Sequence, residues 1–226
     1  MTIVVCLRPA ASEEDRRRCN DPALALALGL APAGHRTVAL LPDSAGQLEP
    51  LRQALAAGAA RAVRLIDDQM STTDFHGLGQ LLANAVRALD ADVVLLGSPF
   101  DDEGVGAMSA ALAKNLGAVH VARVEGMRAG TSEGTVEVTV RGGGRKRRLA
   151  VRAPAVLSVV APPDADVVLP LAATDPDATI ETLTLSDPEA TVVRRRSEHL
   201  GRPEIAARET VVVESAAELV ARLRGR

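Results

Sequence analysis

The chain has 226 residues, 47% of them hydrophobic, with a formal net charge of -3. That is enough chain for a full core, and too acidic a balance for general nucleic-acid binding. Phe75 and Phe100 are the only aromatic residues, so the core must be aliphatic and no platform for stacking bases is available. Cys6 and Cys19 are too few for a disulfide framework or a zinc site, and no apolar run approaches the length of a membrane span.

The sequence enters a strand at once, Ile3 to Leu7, which leaves no room for a signal peptide and predicts a cytoplasmic protein. This continuous apolar run suits a strand buried on both faces, where Cys6 reads as an inert core thiol. Residues 13–18 read as a charged loop. Asp21 and Pro22 then suit the N-cap and first position of a helix running to about Leu30. Thr37 to Leu41 reads as the second strand. A helix through Leu48, Leu51 and Leu55 follows, capped by Asp43 or Ser44 and ended at Gly58. Ala62 to Ile66 is the third strand, and residues 71–74 start a helix carrying Leu78, Leu81, Leu82, Val86 and Leu89. Val93 to Leu96 is the fourth strand, and a helix spans Met108 to Leu116, closed by Gly117.

This alternation predicts an α/β fold on a parallel sheet with helices on both faces. From Ala118 the pattern becomes strand after strand: 119–124, 135–140, 149–152 and 156–160. A hairpin crosses residues 141–145, and its basic run Arg145 to Arg148 reads as a solvated end. Past residue 161 the chain turns rich in Pro, Asp and Thr, with little periodicity beyond 179–185. Such a stretch builds no core, so it is expected to be disordered or to lie across a partner subunit. Residues 209–213 are strand-like, and Ser215 and Glu218 form a capping box for a last helix through Leu219, Val220 and Leu223. The expected division is a domain over 1–160 and a C-terminal arm with a docking helix over 161–226.

In parallel sheets ligands bind at the carboxyl ends of strands. No GxGxxG follows the first strand, and neither GxxxxGK[ST] nor GxSxG occurs. The four histidines (His35, His76, His120 and His199) lack metal-ligand spacing, and His35 and His120 read as core or rim residues. The one dense polar cluster is Gly97-Ser98-Pro99-Phe100-Asp101-Asp102-Glu103-Gly104-Val105-Gly106. It reads either as a nucleotide loop, whose glycines let a phosphate approach helix N–H groups, or as Asp101 and Asp102 capping the next helix.

Three stretches resemble the β subunit of electron-transfer flavoproteins, the FixA family. They are Val38 to Ser44 continuing through Leu55-Ala-Ala-Gly-Ala-Ala-Arg61, Asp92-Val-Val-Leu-Leu-Gly97 with Asp102-Glu103, and Val211 to Leu223. The resemblance implies an adenine nucleotide α hydrolase-like fold and a heterodimer with an α subunit. In that dimer FAD, held mainly by α, carries electrons from a dehydrogenase to an acceptor, with no bond chemistry on this chain. It also implies a nucleotide, AMP in most of the family, against Cys6, Asn20, Pro42 and the loop residues Gly97, Ser98, Asp102, Glu103 and Gly106. The family's polar triplet after the acids is replaced by Val105-Gly106-Ala107-Met108, so side-chain grip on AMP is expected to be weak and a second FAD is not expected. Val168-Leu169-Pro170 falls where the family anchors a dehydrogenase through a leucine, although Leu169 packed on its own domain reads equally well. The rival from another class is a stand-alone nucleotide-sensing module resembling universal stress proteins. It accounts for the first 160 residues and not for the arm.

Overall fold

The computed structural model describes residues 1–9, 12–43, 46–67, 75–97, 107–160, 169, 178–185, 215 and 220, with Phe75 and His76 described in backbone only. Four apolar strands alternate with four helices at the start of the chain. In order these are β1 (Thr2–Cys6), α1 (Glu13–Leu28), β2 (Arg36–Pro42), α2 (Glu49–Ala56), β3 (Arg61–Ile66), α3 (Phe75–Ala88), β4 (Val93–Gly97) and α4 (Met108–Leu116). Then come β5 (Val119–Ala129), β6 (Thr135–Gly142), β7 (Arg145–Arg152), β8 (Ala155–Val159) and β9 (Glu181–Thr184). A short 3-10 turn, Ala31–Ala33, joins α1 to β2.

The nine strands among the described residues form one sheet in the order β7-β6-β5-β8-β4-β1-β2-β3-β9. Every pairing is parallel except those of the β5-β6-β7 meander. The expected α/β class and parallel sheet are therefore what the chain forms. Because β1 and β4 are neighbours that lead their crossovers in opposite directions, the topological switch point lies between them.

Alternation along the buried strands feeds two aliphatic cores. Ile3 and Val5 of β1, and Leu7 just past it, meet Ala23, Leu24 and Ala27 of α1 and Leu51 and Ala54 of α2. Val4 and Cys6 face the other way, toward Leu82, Ala85 and Val86 of α3 and Leu112 of α4. Gly117 ends α4 in the left-handed conformation, φ 64°, as a glycine after a helix allows.

Three sequence expectations are corrected. First, α1 begins at Glu13, not Asp21: Ser12 is the N-cap and its hydroxyl accepts from the Asp15 N–H at 3.1 Å. Three acids in the first turn complement the helix dipole, and Pro22 lies inside the helix. Asp21 is no cap; its carboxylate accepts two bonds from Arg16 Nη1, at 2.8 and 2.7 Å. Second, α2 has Leu48 as N-cap with no side-chain cap, and Asp43 instead accepts from the Gln47 N–H at 3.1 Å, shaping the loop before the helix. Third, residues 181–184, expected in an arm without partners on its own domain, add a parallel edge strand to β3. Arg61 of β3 fastens that strand through Glu181 at 2.7 and 2.6 Å.

The basic run lies along β7, where Arg145 to Arg148 are exposed. The chain divides into two compact units, Met1–Arg196 and Ser197–Arg226. In the second, Ser215 is exposed and Val220 is helical and 45% exposed. The expected strand at 209–213, and the rest of the capping box and last helix, lie outside the described residues.

Candidate functional site

The carboxyl ends of β1 and β4, at the switch point, are where this topology opens a crevice for a ligand. One wall is the first half of α1. Asn20, 3% exposed, faces the chain just past β1: its Oδ1 accepts from the Arg8 N–H at 3.2 Å and its Nδ2 donates to the Arg8 carbonyl at 2.9 Å. The amide thus continues the β1 ladder where no strand follows. Arg8 in turn donates to Asp15 one turn earlier on α1. The Cys19 thiol lies 3.6 Å from the same carboxylate. Burial raises the Cys19 pKa, and the Arg8 charge opposes that rise without cancelling it.

Gly97, the last residue of β4, touches α1 more closely than any side chain would permit. A Cβ placed there would lie 1.5 Å from the Cys19 carbonyl oxygen and 2.4 Å from its carbon. Glycine at this position is therefore required by the crossing of α1 over β4. Cys6 belongs to the core between the sheet and α3/α4, and burial pushes its thiol up to about 12, so it is protonated and inert. Pro42 ends β2 as a buried residue without an N–H, and Asp43 beside it is paired with Arg64 at 2.6 Å. Ser98, Asp102, Glu103 and Gly106 lie outside the described residues. Leu169 is 7% exposed and packs in the core that α1 and α2 cover.

Two features at this edge had no place in the sequence reading. An open cleft of about 720 Å³ separates the N-terminal ends of α1 and α2, lined by Ser12, Glu13, Arg16, Gln47, Glu49 and Arg52 among others. The second is a bulge in β5. Val121 is level with Leu157 and Val124 with Val159, three steps against two. The extra residue leaves Arg123 at φ 60°, a left-handed conformation that costs a non-glycine residue roughly 1 kcal/mol or more. The Arg123 side chain is exposed, and among the described residues it makes no hydrogen bond or ion pair. The signal was present in the sequence: the apolar positions Val119, Val121 and Val124 break their step of two at the bulge.

Among the described residues no group of three or more His, Cys, Asp or Glu side chains could hold a metal ion. His120 accepts or donates to Ser109 Oγ at 3.0 Å and has a pKa lowered by burial, so it links β5 to α4. No described helix is long and apolar enough to cross a membrane.

An electron transfer flavoprotein domain model matches residues 17–188, most of the chain and every described strand after β1. This chain belongs to the electron transfer flavoprotein domain family. No curated protein matches it. The family is flavin-associated. Asn20 spends both ends of its amide on Arg8, Cys6 is a core thiol, and Gly97 is filled by α1. All three are engaged in contacts within the chain itself.

Proposed function

We propose that this chain is the β-type subunit of a heterodimeric electron transfer flavoprotein. In this reading it shields and orients an FAD held mainly by an α-type partner. Electrons arrive from a dehydrogenase and leave to a downstream acceptor. The observation that carries the proposal is the family match across residues 17–188, joined to a sheet whose switch-point crevice is faced by the chain's own structural bonds. The β-type assignment is supported by the sequence resemblance at 38–61, 92–103 and 211–223.

FAD, when bound, supplies the redox chemistry, and the chain's residues supply the surface. The Arg8–Asn20–Asp15 set fixes the end of β1, so the crevice wall is preformed. Packing of Cys19 onto Gly97 excludes water from the seam between α1 and β4. A dehydrogenase anchor at Leu169 requires that side chain to leave the core that now buries it.

The test is co-expression with an electron transfer flavoprotein α subunit, followed by size-exclusion chromatography. A stable 1:1 complex that co-elutes with yellow flavin absorbance is expected. A monodisperse chain that ignores the α subunit contradicts the proposal.

A further inference from the structure

The two outer strands of the sheet are protected in different ways. At one edge β9 has only four residues, and its Glu181 is tied to Arg61 of β3. At the other edge β7 runs for eight residues and pairs with β6 alone among the described strands. That pairing is unbroken from Gly142↔Arg145 to Thr135↔Arg152, with no bulge, and β7 contains no proline. Sheets ordinarily blunt an edge by shortness, a bulge, a proline or charge. On β7 only charge remains: Arg145, Lys146, Arg147, Arg148 and Arg152 are cations, and the strand holds no acid.

Little of that charge is neutralised. Lys146 lies 3.8 Å from Glu125, whose nearer partner is Arg141. Arg145, Arg147, Arg148 and Arg152 make no ion pair among the described residues. The run is local, since the chain as a whole carries a net charge of -3. Only Val151 of the strand is buried, so both of its faces are open. The register places Arg145, Arg147 and Leu149 on the face of Val136, Val138 and Val151, and Lys146, Arg148 and Arg152 on the other. A strand laid along β7 therefore meets cations on both faces, with Leu149, 39% exposed, as its apolar contact. The β7 of a second copy would set like charges directly opposite one another, which is unfavourable. An acidic strand meets the complementary pattern, and the outward N–H and C=O groups of β7 supply its ladder.

We propose that β7 is a docking edge for an extended acidic segment of a partner protein. The segment adds antiparallel to β7, with acids opposite residues 145–148 and an apolar residue opposite Leu149. This edge lies four strands from β4. At about 4.8 Å per strand that is about 19 Å, so the inference stands apart from the switch-point crevice and from the electron-carrier reading.

The probe is a labelled peptide, Glu-Val-Thr-Leu-Glu-Glu-Glu-Glu, which lays this pattern antiparallel to β7. It is titrated into the full chain at low salt and followed by fluorescence anisotropy, with amide exchange read at 145–152. Two control peptides replace every glutamate by lysine, or keep the sequence with alternating D-residues so that no regular ladder forms. The acidic peptide is expected to bind and to slow exchange at alternate amides of β7, and both controls to bind at least about 10-fold more weakly. Combining Arg145→Glu, Arg147→Glu and Arg148→Glu should weaken the acidic peptide by about 10-fold or more. The same three positions changed to Gln give a milder variant with an intermediate loss, should the reversed one fail to fold. No binding of the acidic peptide, or binding without protection of 145–152, overturns the proposal. Binding of the D-alternating peptide within twofold of the parent also overturns it, because a charged patch without strand addition would then suffice.

Discussion

Gly97→Ala distinguishes a packing role from a ligand role at the end of β4. The new methyl would stand 1.5 Å from the Cys19 carbonyl oxygen, where ordinary contact needs roughly 3.5 Å. The obstacle is backbone inside a helix, so no rotamer change relieves it. Either α1 retreats by roughly 2 Å or the end of β4 is displaced, given that contact distance. Retreat of α1 would open the core around Ala23, Leu24 and Ala27, all buried beneath it. Overpacking costs about 1–3 kcal/mol and more where the surroundings cannot move, so we expect a loss of about 3 kcal/mol. Urea denaturation followed by circular dichroism measures it. Gly79→Ala in α3 is the matched control: its methyl would meet the Ala111 Cβ at an ordinary 3.5 Å, and helix propensity should stabilise the chain by about 0.5–1 kcal/mol. A Gly97→Ala protein within about 1 kcal/mol of wild type, below the ordinary overpacking range, would refute the close crossing. If it also lost nucleotide, the ligand reading of Gly97 would be restored.

Burial raises the Asp21 pKa more than Arg16 lowers it, so the native state holds the proton more tightly and stability falls as pH rises through that window. Arg16→Met strands the buried carboxylate and should cost about 3 kcal/mol at pH 7, against under about 1 kcal/mol for Asp21→Asn. The Arg16→Met penalty should shrink as pH falls and Asp21 takes up a proton; equal penalties at acid and neutral pH would contradict this. Hydrogen bonds from Arg61 lower the Glu181 pKa, so the stability they give β9 is present above the ordinary carboxylate range and lost as pH falls through the lowered value. Since both side chains are more than 40% exposed, Glu181→Gln should speed amide exchange at 181–184 only several-fold, well under about 1 kcal/mol, and not at all in acid. Leu169→Ala should destabilise the isolated chain by about 2–3 kcal/mol, as expected for a buried leucine. Unchanged stability together with slower dehydrogenase-coupled flavin reduction would instead favour the partner anchor.

The centre of the parallel sheet was legible because β1, β2 and β4 are buried on both faces and therefore read as nearly unbroken aliphatic runs. The end of α4 was legible for a different reason, since Gly117 supplies the left-handed residue that closes a helix. The start of α1 was hidden by its own chemistry. Its first half runs along the carboxyl edge, where Asp15, Arg16 and Asn20 bond to polar groups, so no apolar stripe announces a helix before Cys19. Pro22 then imitated a helix start. The strand β9 has exposed or half-exposed side chains throughout, and such a short edge segment carries little periodic signal. At the site, Asn20 and Gly97 were recognisable as special residues, but their partners Arg8 and Cys19 are tertiary and leave no trace in spacing. Arg123 could be found only from the broken alternation of β5, and its left-handed backbone has no sequence marker of the kind glycine provides.

The most direct measurement is the nucleotide released when the purified complex with an α subunit is denatured and chromatographed. The account predicts one FAD per heterodimer and less than stoichiometric AMP, because Asn20, Cys6 and Gly97 are committed to the fold. A complex devoid of flavin would contradict the electron-carrier reading, and two FAD per dimer would contradict the division of labour between the subunits.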